Sequence, residues 1–114
     1  AKMRDAGLEA ERLSRGPMTA MYWTAAQLVA HHTVNGCNLM PGDLLGTGTL
    51  SGEARDSFGS LIELGEGGKR PLTLANGETR SFLEDGDEVI MTAHAAREGF
   101  RSIGFGECRG RIAG

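Results

Sequence analysis

The placement of glycine restricts this fold more than any other feature. Eighteen glycines stand among short apolar runs without a repeat, a pattern of many tight turns joining short strands and not of a disordered linker. Ahead of Gly36 the pattern is helical. In Trp23-Thr24-Ala25-Ala26-Gln27-Leu28 the Thr24 hydroxyl can accept from the N–H of Gln27, Gln27 can reach back to Thr24, and Trp23 can pack on Leu28. The spacing predicts one helix from Ala25 through Val34, about 10 residues or three turns, stopped by Asn35-Gly36, a pair that tolerates a left-handed cap. Beyond Gly42 the period changes. Short runs bounded by turn residues predict strands near 43–50, 60–64, 71–75, 78–83, 87–95 and 101–112. Asn76-Gly77 predicts a type I′ hairpin with positive φ at both positions, Asp85-Gly86 predicts another turn, and the Gly-interrupted run from Ile103 to Ile112 predicts an edge or curved strand. The expected fold is α+β: mainly β, in an antiparallel sandwich or roll, with one helix against it.

The 114 residues suit one domain with a modest core. Three segments are expected: a leader over 1–16, the helix over 24–35 and a β-rich roll over 43–112. The leader is charged, weakly periodic and without a helix-start signal, and it reads as a cut into longer chain, mobile or packed on sequence outside it. With 12 basic against 15 acidic residues and a net charge of −3, the chain lacks the electrostatic footprint of a nucleic-acid or anionic-membrane partner. One Trp, one Tyr and four Phe leave the core to Leu, Ile, Val, Met and Ala. Cys37 and Cys108 have no CxxC spacing, so neither a disulfide framework nor a zinc motif is expected, and a cytoplasmic setting fits. No apolar run approaches the roughly 18 residues of a membrane span.

The candidate chemistry lies between Gly46 and Glu63. Gly46, Gly48 and Gly52 clear space where backbone must approach a ligand, and Thr47, Thr49 and Ser51 offer hydroxyls. The spacing is not that of a nucleotide-binding loop, because position 51 is Ser. A glycine-bent strand with solvated hydroxyls is the plain alternative to a substrate-lining loop. Glu63 sits in Leu61-Ile62-Glu63-Leu64. Read as a strand, this run either turns Glu63 to water or buries a carboxylate that can orient an imidazole. His31 and His32 point about 100° apart on a helix and do not chelate one metal together. His32 is expected to pack under the sheet or at a pocket edge, His94 to be exposed, and Cys37 to be a small buried apolar residue. Glu84, Asp85, Asp87 and Glu88 are expected to form a solvated hairpin tip, since calcium-loop spacing is absent.

Several segments, taken in order, resemble the C-terminal part of the fumarylacetoacetase family. They are Met21-Tyr22-Trp23-Thr24, the run His31-His32-Thr33-Val34-Asn35-Gly36-Cys37-Asn38-Leu39, Pro41-Gly42-Asp43-Leu44-Leu45, Gly48-Thr49-Leu50-Ser51-Gly52, Phe58-Gly59-Ser60-Leu61-Ile62-Glu63-Leu64, Asp85-Gly86-Asp87-Glu88-Val89-Ile90 and Gly104-Phe105-Gly106-Glu107-Cys108. The resemblance implies a hydrolase that cleaves the carbon–carbon bond of 4-fumarylacetoacetate, a dicarboxylate β-diketone, to fumarate and acetoacetate in tyrosine and phenylalanine breakdown. It implies a divalent metal (Mg²⁺ and/or Ca²⁺) and a homodimer in the complete enzyme. It also implies that Glu63 orients a catalytic histidine and that Thr49 binds a substrate carboxylate. The family's histidine, acidic metal ligands and cationic cluster match no residue here, so the segment alone is expected to bind metal poorly and to be inactive. Gly65-Glu66-Gly67-Gly68 departs from the family pattern just after the Glu-Leu pair. A superfamily hydratase or decarboxylase, and a non-catalytic β-domain, are the other readings.

Overall fold

The computed structural model describes residues 1–114. In chain order its elements are helix α1 (Lys2–Asp5), a 3-10 turn (Met18–Ala20), helix α2 (Ala25–Thr33), a 3-10 turn (Arg55–Ser57), helix α3 (Leu61–Leu64) and strands β1 (Leu72–Thr73), β2 (Thr79–Arg80), β3 (Glu88–Ala95) and β4 (Ile103–Arg111). They divide into two units, residues 12–70 and residues 1–11 with 71–114. The class is α+β, with two small antiparallel sheets and no closed barrel.

In the unit of residues 12–70 the expected helix start is present in full. The Gln27 N–H donates to Thr24 Oγ1 at 3.3 Å and the Thr24 N–H donates to Gln27 Oε1 at 2.9 Å, so two orphan donors of the first turn are satisfied reciprocally. Trp23 and Leu28 line one hollow of about 360 Å³ on this helix with Gln27, Ala30 and His31. The helix ends at Thr33, with Val34 as its cap and Gly36 at φ +85°. Thr24→Ala is expected to cost about 1 kcal/mol, read as a lower denaturant midpoint with an unchanged slope. Next, Met40 to Asp43 form a turn: the Asp43 N–H donates to the Met40 carbonyl at 3.1 Å, the Met40 N–H to Asp43 Oδ2 at 2.8 Å, and Gly42 takes φ +99°.

Two expected strands are absent from this unit. Residues 43–50 run without ladder partners, with Leu44 97% exposed; alternation does not make a strand where no neighbour takes up the backbone groups. Residues 60–64 instead form one turn of helix, because Ser60 caps it and Glu63 falls at its third position. A run of four residues is too short for periodicity to separate the two states. The β-rich segment thus begins at Leu72 and not at residue 43. Leu64, 5% exposed, is the one buried hydrophobic side chain of the chain.

In the other unit, β1 pairs with β2 in the register Leu72↔Arg80 and Thr73↔Thr79. The hairpin falls where expected, but its turn differs. The Gly77 N–H donates to the Leu74 carbonyl at 2.8 Å and the Leu74 N–H to the Glu78 carbonyl at 2.8 Å. Gly77 alone of the loop residues takes positive φ, at +83°. This is a three-residue loop closed by a glycine, not the two-residue type I′ turn, and the Asn76 side chain holds it by accepting from the Glu78 N–H at 3.1 Å.

Strands β3 and β4 pair from Glu88↔Arg111 to Ala95↔Ile103. Between Thr92 and His94 the register slips, and Gly106 on β4 takes φ +77°. The extra residue sits on the glycine-bearing strand, a bulge that bends it as the Gly-interrupted pattern implied.

Residues of the leader make contacts within this unit. Glu11 accepts from the Ala75 N–H at 2.7 Å and Lys2 pairs with Glu78 at 3.1 Å.

The Asp85-Gly86 turn also differs from expectation, since its acids are not all solvated. Arg80 Nε donates to Asp87 Oδ2 at 2.8 Å and Nη2 to Oδ1 at 3.2 Å, with both side chains only 12–13% exposed. This bidentate pair and the Glu84 N–H hold the Asp87 carboxyl down to about 2 and raise the Arg80 guanidinium. A carboxylate depressed in the folded state adds stability above its unfolded pKa and loses it as pH falls through the folded value. Asp87→Asn should therefore lower Tm at neutral pH, and calorimetry should show the gap from the parent closing between about pH 4 and about pH 2.

Candidate functional site

The site is built on the meeting of two stretches within the unit of residues 12–70, residues 49–52 and residues 57–63. The Gly52 N–H donates to the Ser57 carbonyl at 3.0 Å, and the Gly59 N–H donates to Ser51 Oγ at 3.0 Å. Gly59 lies directly against Thr49 and Leu50. A Cβ built on it would stand 2.8 Å from Thr49 Cγ2 and 3.0 Å from the Leu50 carbonyl carbon, so this approach requires glycine.

Glu63, the third residue of α3, projects its carboxylate into this junction. Ser51 Oγ lies 2.9 Å from Oε1 and 2.8 Å from Oε2, and Ser60 Oγ donates to Oε2 at 2.8 Å. The Ser60 oxygen in turn accepts from the Glu63 N–H at 3.4 Å. Glu63 is thus neither buried among apolar strand residues nor loose in water. It is an exposed carboxylate held by hydroxyls. The Ser60 and Ser51 hydroxyls, with help from the Gly59 and Ser60 amides, pull its pKa below the usual value, because donors to the ionised form favour it.

The far end of α3 is pinned as well. Arg55 Nη2 donates to the Leu64 carbonyl, Arg55 Nη1 pairs with Glu66 at 2.8 Å, and Arg70 reaches the same Glu66 oxygen at 3.2 Å. Glu66 is held at φ +50°, a conformation that non-glycine residues adopt rarely, and its carboxyl is lowered chiefly by Arg55. A single helical turn is marginal by itself. Here both of its ends are tied, which fixes where Glu63 points.

Thr49 is exposed, two residues before Ser51. The structure therefore brings Thr49, Ser51, Ser60 and Glu63 together around Gly59. Ser51 and Ser60 were missed as partners of Glu63 in the sequence, although Ser60-Leu61-Ile62-Glu63 is a legible capping signature.

The other candidates lie elsewhere. His31 lines the hollow on α2. His32 does not pack under a sheet; it is exposed, with Nε2 3.3 Å from Cys37 Sγ. Cys37 is likewise exposed and not buried, and its N–H donates to Asn35 Oδ1 at 3.2 Å. His94 is exposed on β3. No three His, Cys, Asp or Glu side chains converge to hold a metal ion, so the residues present do not make a metal centre. No helix is long and apolar enough to cross a membrane.

The segment fixes the Glu63 carboxylate beside a glycine-flanked hydroxyl, and comparison with known proteins identifies its class. Residues 4–113 match the family described as fumarylacetoacetate (FAA) hydrolase, C-terminal, and the chain belongs to that family. It is 53% identical to the fumarylacetoacetase of Bos taurus and 50% identical to that of Homo sapiens, each over 104 residues, which are 91% of this chain and 25% of the relative. With the fumarylacetoacetase of Arabidopsis thaliana it shares 56% identity over 92 residues, 81% of this chain and 21% of that protein. The chain spans about a quarter of the length of these relatives.

Proposed function

We propose that this chain is the C-terminal segment of a hydrolase that cleaves 4-fumarylacetoacetate to fumarate and acetoacetate. The observation that carries this reading is the Glu63 carboxylate, which accepts from the Ser51 and Ser60 hydroxyls and is favoured by them in its ionised form. Such a group suits one task well. It accepts the N–H of an imidazole supplied by the rest of the polypeptide, fixes its tautomer and stabilises the imidazolium formed when that ring takes a proton from water. The hydroxide equivalent adds to the carbonyl carbon, the carbon–carbon bond breaks, and its electron pair leaves with the acetoacetate fragment, which is then protonated.

Thr49 fits the second task. Its exposed hydroxyl, flanked by Gly48 at φ +75°, can donate to a substrate carboxylate with little steric obstruction. The divalent metal (Mg²⁺ and/or Ca²⁺) belongs to residues outside this segment, where it would stabilise negative charge on the leaving group. We place the complete enzyme in the cytoplasm as a homodimer acting on a small molecule. The test is product release: the full-length protein should yield fumarate and acetoacetate in equal amounts, and the 114-residue chain alone should yield none. A full-length protein inert toward this substrate, or a segment that turns it over unaided, overturns the proposal.

A further inference from the structure

Resting on that reading of Glu63, we propose that Ser51 and Ser60 are positioning residues that present one carboxylate oxygen, Oε1, to the histidine. The argument begins with an asymmetry. Oε2 faces both hydroxyls, Ser51 and Ser60, each at 2.8 Å, whereas Oε1 faces only Ser51, at 2.9 Å. Ser51 has a single proton to give. When an imidazole N–H arrives at Oε1, that proton has Oε2 to turn to, and Oε1 is released without leaving any donor unpaired.

The two hydroxyls are themselves directed. Ser51 Oγ accepts from the Gly59 N–H at 3.0 Å and Ser60 Oγ accepts from the Glu63 N–H at 3.4 Å, so each oxygen is engaged by backbone and its proton is aimed at the carboxylate. Without them an exposed glutamate would sample several rotamers. The hydroxyls favour the one in which both carboxylate oxygens accept.

Ser51 also has a position that Ser60 lacks. It lies two residues after Thr49, so the same short stretch carries the hydroxyl offered to the substrate and the hydroxyl that holds the carboxylate. Movement of either is transmitted to the other through Gly59, which packs against Thr49 and Leu50 and donates to Ser51. Ser51 thus sets the spacing between substrate-binding and base-orienting groups.

The experiment is steady-state kinetics of the full-length protein with fumarylacetoacetate, comparing Ser51→Ala, Ser51→Thr, Ser60→Ala and Glu63→Gln. Loss of a hydroxyl that orients a catalytic group typically costs about 10-fold or more, so Ser51→Ala should lower kcat by that factor with KM within about twofold. Ser51→Thr, which keeps the hydroxyl, should return kcat to within about threefold of the parent, a rescue that positioning predicts and bulk stability does not. A Ser51→Ala kcat within about twofold of the parent, in a background where Glu63→Gln has lost activity, overturns the inference, as does a Thr variant as slow as the Ala variant. If Ser51→Ala does not fold, Ser60→Ala decides: a fall in kcat at constant KM supports the inference and an unchanged kcat overturns it. Should Glu63→Gln itself retain full kcat, the reading of Glu63 fails, and it does so independently of either serine.

Discussion

Glu63→Gln in the full-length protein is expected to lower kcat by about 10³- to 10⁴-fold while KM changes little. Gln is nearly isosteric, so the loss comes from charge and donor count. In the parent, both carboxylate oxygens accept from Ser51 and Ser60, and in the proposed role one of them also accepts from the incoming imidazole. In the variant one of the two positions becomes an NH₂. If the amide oxygen faces the serines, the NH₂ meets the imidazole and forces it into the tautomer unable to take a proton from water. If the amide oxygen faces the imidazole, the NH₂ confronts two hydroxyls that must swing away. Either arrangement also removes the negative charge that offsets the imidazolium. The hydroxyl donors depress the Glu63 pKa, so the parent carboxylate stays ionised throughout the neutral range. An inflection in the pH–rate profile near neutrality then belongs to another group. Stopped assays with circular dichroism as a fold control decide the matter; a folded variant retaining more than about one-tenth of parental kcat would sink the role.

The second large effect concerns a residue with no polar side chain. Gly59→Ala places a methyl carbon against the Leu50 carbonyl and Thr49 Cγ2. The obstacle is mostly backbone, which cannot turn aside as a flexible side chain can, so the stretch of residues 49–51 must move. Overpacking of this kind costs about 1–3 kcal/mol, which should appear as a Tm several degrees lower. The shift also carries Thr49 and Ser51 away from Glu63 and breaks the Gly59 N–H···Ser51 bond of 3.0 Å. The kinetic defect should therefore exceed that of Ser51→Ala and include a raised KM, since Thr49 moves too. A Gly59→Ala protein with parental Tm and parental KM would show that the two stretches do not pack as described.

Where a signal is local and made of directional chemistry, it was legible. The Thr24–Gln27 box is complete within four residues, and the atoms that make it lie where the spacing put them. Strand β3 was equally plain, because Val89 to Thr92 form a continuous apolar and β-branched run with a turn before it; its pairing with β4 was not read from the sequence. The errors cluster where a local pattern fits two states. Leu61-Ile62-Glu63-Leu64 alternates like a strand, yet Ser60 at its head makes it a capped turn of helix. Asn76-Gly77 marks a hairpin, but only Gly77 takes the left-handed conformation, because the loop is one residue longer than the tightest form.

Cys37 and Asp87 show a different limit. A cysteine ranks as a buried residue by type and an acid in a turn ranks as solvated, and both rankings failed. Whether a thiol meets solvent, or a carboxylate meets a guanidinium seven residues away as Asp87 meets Arg80, is a matter of how segments come to lie together. Residue type carries no information on that.

The residues alone determined the helix and its start, the number and place of most turns, the α+β class, and the family through an ordered set of short motifs. They also singled out Glu63 and Thr49. Only the tertiary structure decided how these two are related: Gly59 lets the Thr49 stretch close on the α3 cap, and Ser51, twelve positions from Glu63, reaches both of its oxygens. The reason is geometric. Capping, turn formation and strand alternation act over a few residues and leave their mark in local spacing, whereas a hydrogen bond between distant segments depends on a close approach that no local pattern encodes.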